Sequence, residues 1–165
     1  EIKNNGFNSI ILKPLDLFQG IGVEKIDLRE KSSLLKKYKD KIKEFNGAIV
    51  AQPFIEAVYN GEIRSIFFNG DEVGTIVKVP PEGGFLANIA QGATFRSQAL
   101  SAGQYKACKE IADSLLKENV RWIAFDILGE SISEVNITCP GLLVEVSIAC
   151  NKNLSAEIIE KLKQN

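Results

Sequence analysis

The sequence contains no histidine and no methionine, and it has three cysteines among its 165 residues. Without histidine, this chain cannot supply histidine acid–base catalysis or a histidine metal site. The missing methionine leads us to expect part of a longer protein. Cys108, Cys139 and Cys150 are odd in number and lack CxxC spacing. We therefore expect reduced thiols in a cytoplasmic protein, and neither a disulfide framework nor a zinc site.

Neither sign of charge is in large excess, and long apolar runs are missing. Twenty Lys and Arg residues oppose 21 Asp and Glu residues, which gives a net charge of −1. The lack of a strongly basic surface argues against nucleic acid or an anionic membrane as the main partner. No apolar run approaches the roughly 20 residues that span a bilayer. The length allows one domain, or two small lobes that share a core.

Hydrophobic periodicity predicts a mixture of short strands, hairpins and three helices. Asn69-Gly70 between two alternating segments is a strong hairpin signal. Ser101 with Gln104 three residues later is a capping box that starts a helix, and Ser32 or Ser33 can cap an earlier one. Residues 80–97 contain two prolines and no clear period, which predicts a long loop. Hairpins mixed with helices favour an α+β fold with a largely antiparallel sheet. Strands are predicted at residues 9–13, 23–28, 47–52, 62–68, 72–79, 121–128 and 132–138, and helices at 33–45, 101–116 and 155–163.

The sharpest chemical signal is formed by Asp126, Glu134 and Asn136. Alternation points Phe125 to the core and Asp126 away from it. In the next strand, the same rule buries Val135 and Ile137 and places Glu134 and Asn136 on the opposite face. A three-residue loop at 129–131 would set Asp126 across from Glu134, where two like charges destabilise a ladder. Oxygen ligands of this kind suit Mg²⁺, and the alternative is a solvated polar sheet face.

Other candidate residues have weaker signals. Lys13 ends an apolar strand and could contact phosphate as a point charge, with backbone N–H groups near Gly20 helping. Arg64 and Lys78 lie in or at the end of strands and could reach phosphate or carboxylate groups. Asn88 in the long loop could be a ligand or could cap the loop. For each of these residues the alternative is an ordinary surface side chain.

Five segments in this order resemble the C-terminal, ATP-binding half of bacterial glutathione synthetases, members of the ATP-grasp superfamily. The resemblance covers essentially the whole chain. The matching segments are Ile11-Leu12-Lys13-Pro14-Leu15-Asp16, Val50-Ala51-Gln52-Pro53-Phe54-Ile55, Lys78-Val79-Pro80 with Ala87-Asn88-Ile89-Ala90-Gln91-Gly92, Ala124-Phe125-Asp126-Ile127-Leu128-Gly129-Glu130, and Glu134-Val135-Asn136-Ile137-Thr138-Cys139-Pro140.

The resemblance implies an ATP-grasp fold and an ATP-dependent carboxylate–amine ligase that works through an acyl phosphate. The implied cofactors are ATP and Mg²⁺, and the implied substrates are small amino acids or peptides. The resemblance is also compatible with a homo-oligomer of the full-length protein. Residues 1–54 would complete a first ATP-grasp subdomain, and residues 55–165 would form a second one with the metal-binding hairpin. The implied roles are phosphate contact for Lys13, adenine binding for Gln52, Phe54 and Ile55, metal binding for Asp126, Glu134 and Asn136, and positions near the transferred phosphate and the acceptor for Arg64 and Asn88.

Three departures from the family pattern favour a second hypothesis. The family loop after Lys-Pro-Leu-Asp is dense in glycine, whereas here it reads Leu17-Phe18-Gln19-Gly20. Two family arginines are replaced by Leu86 and Val144. The chain could therefore be a degenerate ATP-grasp module that binds nucleotide or a partner without catalysis, and a structural domain without a nucleotide site is a third alternative.

Overall fold

The computed structural model describes residues 6–29 and 34–163, and the chain divides into two compact units, Glu1–Glu56 and Ala57–Asn165. The predicted helix caps Ser32 and Ser33 lie outside the described residues. Within the described ranges, no helix combines the length and the apolar character needed to cross a membrane.

The first unit is a three-stranded antiparallel sheet with one helix. The strand order is β2-β1-β3, and alternation along β1 turns Ile10 and Leu12 towards the helix, where they are almost fully buried. Because successive side chains alternate, Ile11 and Lys13 lie on the opposite face. The elements are β1 (Ser9–Pro14), β2 (Glu24–Asp27), α1 (Leu34–Phe45) and β3 (Ile49–Pro53). The small core is formed by Ile10, Leu12, Ile26 and Leu28, with Leu34, Tyr38 and Ile49 against it.

The second unit is a five-stranded antiparallel sheet in the order β6-β5-β4-β7-β8. Its elements are β4 (Glu62–Phe68), β5 (Asp71–Val79), β6 (Thr94–Ser97), α2 (Ala102–Lys117), β7 (Trp122–Leu128), β8 (Ser131–Asn136), α3 (Leu143–Cys150) and α4 (Leu154–Lys163). Short 3₁₀ turns at Glu56–Asn60 and Ile89–Gln91 connect these elements.

The two faces of this sheet are covered differently. Helix α2 packs on one face, and α3 and α4 pack on part of the other. On the second face, β4 contributes apolar side chains at Phe68 and Ile66. The two preceding positions on the same face, Arg64 and Glu62, are charged. The end of the face beyond α3 and α4 therefore carries the polar residues. The α2-side core contains Ile63, Phe67, Val77, Cys108, Ala112, Ile123, Phe125 and Ile127. The opposite core contains Ile66, Phe68, Val73, Ile76, Ala124, Val146, Leu154 and Ile158.

Several local predictions are confirmed. Asn69 and Gly70 both have positive φ (51° and 83°) and join β4 to β5 in a two-residue turn, as a type I′ hairpin requires. Ser101 and Gln104 form the complete capping box at the start of α2, with hydrogen bonds of 2.8 and 3.1 Å. Phe125 is fully buried on the α2 face, as alternation predicts.

Other predictions about elements are wrong. Residues 94–97, expected within a loop, form the edge strand β6, which pairs with the end of β5. A fourth helix, α3, forms from a β-branched segment that we did not assign. Val135 and Ile137 are 36% and 46% exposed and not in the core. Val135 lies on the edge strand β8, and Ile137 follows the end of that strand.

The hairpin between β7 and β8 has the predicted pairing of Asp126 with Glu134, but its loop is shorter than predicted and one strand contains a bulge. Leu128 pairs with Ser131, so the loop has two residues and not three. The register then shifts by one residue, which makes Ser133 a β-bulge, and its hydroxyl donates to the carbonyl oxygen of Asp126 at 3.1 Å. Asp126 and Glu134 are paired directly as a result.

Candidate functional site

Six polar residues share the end of the sheet face that α3 and α4 do not cover. Arg64 on β4 pairs with Asp126 on β7, and Asp126 pairs with Glu134 on β8. Directly paired residues on antiparallel strands point to the same face, so these three side chains form a row across three strands. A second pairing, Glu62 with Lys78 across β4 and β5, adds two more charges beside the row. Asn136 follows Glu134 on the same face of β8.

Asp126 is the centre of this arrangement. Its Oδ1 accepts hydrogen bonds from Arg64 Nε at 2.9 Å and Lys78 Nζ at 3.1 Å. Its Oδ2 accepts from Arg64 Nη2 at 2.7 Å and Asn136 Nδ2 at 3.1 Å. Asp126 is 5% exposed and Lys78 only 2%. Both carboxylate oxygens therefore have two donors each, in a setting where an unpaired charge would be costly.

Glu62 is a member of the site that the sequence reasoning missed. Lys78 Nζ donates to Glu62 Oε1 as well as to Asp126. Burial raises the pKa of the Glu62 carboxyl above its ordinary value, and the charge of Asp126 adds to this, while Lys78 and Arg64 oppose it. The alternation in β4 contained the signal, because Glu62 is two residues before Arg64 and shares its face. We call Glu62, Arg64, Lys78 and Asp126 the ion cluster.

The like-charge pair of Asp126 and Glu134 is compensated here by protein cations. Among the described residues, no three His, Cys, Asp or Glu side chains lie close enough to hold a metal ion. The predicted metal site consists of two carboxylates and one amide, Asp126, Glu134 and Asn136, which Mg²⁺ would complete with water and phosphate oxygens. The donor chemistry fits Mg²⁺. A metal ion that reaches Asp126 must, however, displace one of the donors that now occupy its oxygens.

The predicted nucleotide residues of the first unit lie on and just after two adjacent strands. Lys13 and Gln52 pair with Val50 and Ile11 and therefore share the sheet face that α1 does not cover. Phe54, which follows β3, is 8% exposed, and Lys25 Nζ lies 3.7 Å from the centre of its ring. The next residue, Ile55, is half-buried.

Two further predicted residues lie in turns. Gly20 has φ of 78°, and its carbonyl oxygen accepts from the backbone N–H of Val23 at 3.3 Å. Asn88 precedes a 3₁₀ turn, and its carbonyl oxygen accepts from the N–H groups of Gln91 and Ala93 at 2.8 and 3.3 Å. The side chain of Asn88 makes no capping hydrogen bond. Asn88 is thus not one of the residues whose side chains meet in the ion cluster.

Comparison with solved structures defines the class of fold. The chain superposes on D-alanine–D-alanine ligase from Bacillus anthracis complexed with ATP with a TM-score of 0.64, at 18% identity, over 97% of this chain and 54% of that chain. It also superposes on the ATP-grasp ligase PsnB, complexed with Mg and ADP, with a TM-score of 0.65 at 16% identity, over 99% and 48% of the two chains. Antiparallel sheets with four helices and this similarity define an ATP-grasp fold, which confirms the predicted α+β fold class.

Sequence comparison narrows the class to one family. Residues 3–151 match the family described as prokaryotic glutathione synthetase, ATP-grasp domain, and the chain belongs to this family. A glutathione synthetase from Prochlorococcus marinus is 34% identical over 69% of this chain and 37% of its own length. Another, from Parasynechococcus marenigrum, is 30% identical over 93% of this chain and 50% of its own length. The chain spans about half, or less, of these curated relatives.

Proposed function

We propose that this chain is the ATP- and Mg²⁺-binding part of an ATP-dependent ligase that joins a carboxylate to an amine. In this chemistry a carboxylate oxygen attacks the γ-phosphorus of ATP and ADP leaves. The amine then attacks the acyl carbon of the acyl phosphate, and phosphate leaves as the nitrogen loses a proton. Such a reaction needs positioning and charge neutralisation more than a protein nucleophile, which agrees with a chain that lacks histidine.

The observation that carries the proposal is the row Arg64–Asp126–Glu134 in a member of this family. Asp126, Glu134 and Asn136 supply the oxygen donors that Mg²⁺ prefers, and bound Mg²⁺ would neutralise charge on the phosphates. We assign Arg64 and Lys78 to the transferred phosphate, because both are cations within hydrogen-bonding distance of Asp126. Asn88 is assigned to the acceptor region on the resemblance alone.

The resemblance also assigns nucleotide contacts to residues of the first unit. Lys13 is assigned to phosphate, with backbone groups near Gly20 beside it. Gln52, Phe54 and Ile55 are assigned to adenine. Their support is that Lys13 and Gln52 share one sheet face, together with the match to the family over residues 3–151.

Titration calorimetry of the 165-residue chain tests the metal and nucleotide assignment. Mg²⁺ should bind weakly alone and more tightly with ATP, because the site borrows phosphate oxygens. The double variant Asp126→Asn/Glu134→Gln should lose this gain, whereas exposed Glu82→Gln should keep it. Equal Mg²⁺ affinity with and without ATP, or unchanged Mg·ATP binding in the double variant, would contradict the proposal.

A second candidate function is nucleotide binding without catalysis. The loop after Lys13 supports it, since Leu15 and Phe18 are 66% and 68% exposed at a place where the family loop is rich in glycine. ADP release by the full-length protein, measured with a panel of amino acids and dipeptides, distinguishes the two functions. A ligase releases ADP only with the correct pair of substrates, whereas a binding module retains ATP with all of them.

A further inference from the structure

Glu62 has a place in the ion cluster that the chemistry above does not use. Its carboxylate accepts from Lys78 Nζ, and the same nitrogen lies 3.1 Å from Asp126 Oδ1. Lys78 therefore bridges two carboxylates while being almost completely buried. One carboxylate, that of Asp126, would be enough to neutralise the charge of a buried lysine, so the second carboxylate needs an explanation.

The charges of the ion cluster cancel. Two cations, Arg64 and Lys78, face two carboxylates, Glu62 and Asp126. If Glu62 were neutral, the cluster would carry one net positive charge, and that charge would repel a divalent cation from Asp126.

The two cations differ in how easily they can leave Asp126. The Arg64 side chain is 12% exposed, whereas the Lys78 side chain is 2% exposed. Lys78 also keeps a second partner, Glu62, when Asp126 turns to a metal ion. Exchange of Arg64 for a divalent cation therefore leaves Asp126 and Lys78, the two most buried charges of the cluster, each with a partner.

We propose that Glu62 is a positioning residue for the metal site: it holds Lys78 and offsets its charge, so that Asp126 can exchange Arg64 for a divalent cation. The inference rests on the proposed function. It assigns Glu62 no contact with the metal, and its effect is exerted through Lys78. Arg64, once released from Asp126, becomes available to a phosphate group.

Electron paramagnetic resonance with Mn²⁺ as the probe tests this on the 165-residue chain at pH 8, with and without ADP. Glu62→Gln should weaken Mn²⁺ binding about tenfold, the scale of one nearby charge lost from a poorly solvated site. Glu62→Asp keeps the charge on a shorter side chain, so it should weaken Mn²⁺ binding less than Glu62→Gln does. Glu62→Gln/Lys78→Met removes the cation together with its partner and should recover most of the affinity. Glu82→Gln, an exposed glutamate of the second unit, serves as the matched control.

The outcomes separate the two proposals. A purely structural role for Glu62 would lower the melting temperature and leave Mn²⁺ affinity of the folded protein unchanged, and that result overturns the inference alone. A double variant as weak as Glu62→Gln also overturns it, because charge compensation of Lys78 would then not be the cause. If Glu62→Gln does not fold, unchanged affinity in Glu62→Asp has the same meaning. Failure of the unsubstituted chain to bind Mn²⁺ with ADP overturns the proposed function as well.

Discussion

At the scale of single residues, Asp126 is predicted to affect both stability and metal binding. Asp126→Asn keeps the shape of the side chain but leaves Arg64 and Lys78 with one carboxylate, Glu62, between them. We expect a loss of about 3 kcal/mol in the free energy of unfolding, the usual scale when one partner of a buried pair is removed. Urea denaturation measures it, and a loss below about 1 kcal/mol would contradict the ion cluster as described.

Glu134→Gln is the matched control for that substitution. Glu134 faces Asp126 across the β7–β8 ladder but is exposed. Its replacement should change the free energy of unfolding by no more than about 0.5 kcal/mol, while still weakening Mg·ATP binding. We therefore expect Asp126→Asn to lower both stability and Mg·ATP binding, and Glu134→Gln to lower only Mg·ATP binding.

The raised pKa of Glu62 predicts a pH dependence of stability. The native state holds this proton at a pH where the unfolded state, with the ordinary value of 4.5, has lost it. Between these two pKa values the native state binds more protons, so the contribution of Glu62 to stability falls as the pH rises. Unfolding measured across this range should show a smaller decrease in Glu62→Gln than in the unsubstituted chain. Identical slopes would contradict the raised pKa.

Cys108 should be chemically inert in the native state. Burial, and to a smaller extent the charge of Glu72, raise the pKa of its thiol to about 11, and only the thiolate reacts. Maleimide at pH 8 should label exposed Cys139 within minutes, and Cys108 only after unfolding. Peptide mapping by mass spectrometry reads both sites. Equal labelling of Cys108 and Cys139 without denaturant would mean that helix α2 does not cover the sheet stably.

At the scale of elements, the covering of one sheet face depends on a glycine in β5. A Cβ atom on Gly74 would lie 2.7 Å from Val146 on α3 and 3.0 Å from Leu154 on α4. Gly74→Ala should therefore destabilise the second unit by about 1–3 kcal/mol, the usual cost of overpacking. Gly141→Ala, where a Cβ would meet open space, is the control in urea denaturation. Equal stability of the two variants would show that α3 can move away from β5 at no cost.

Helix α3 illustrates why an element can escape local prediction. Its sequence, Leu-Val-Glu-Val-Ser-Ile-Ala-Cys, is rich in β-branched residues, which favour strands. Only Val146 is fully buried, while Val144 and Ile148 are each 67% exposed, so no clear helical stripe is visible in the sequence. Packing of Val146 against the sheet fixes the helix, and that contact is not encoded locally.

At the scale of the whole molecule, the two compact units differ in the size of their cores. Among the described residues, the core of the first unit is one cluster of four buried apolar residues against one helix, whereas the second has two clusters of eight on opposite sheet faces. Small cores give marginal stability, so the first unit should unfold at a lower denaturant concentration. Trp122 is the single tryptophan and lies on β7 of the second unit.

Two probes can therefore be compared. Far-ultraviolet circular dichroism reports both units, and Trp122 fluorescence reports the second. We expect the circular dichroism transition to begin at a lower urea concentration than the fluorescence transition. Amide exchange should agree, with faster exchange in β1–β3 than in β4, β5 and β7. Coincident transitions would mean that the two units unfold cooperatively.

The sequence by itself determined the local features of this protein and its family. Turn chemistry at Asn69-Gly70, the capping box at Ser101 and strand alternation act over a few residues, so they are readable without a fold. Tertiary structure alone decided which charges meet. Arg64 and Lys78 are 62 and 48 residues away from Asp126 along the chain, and only the central place of β4, between β5 and β7, brings them together. Strand order depends on non-local packing, and the register of Asp126 with Glu134 depends on a bulge at Ser133 that offsets a shorter turn.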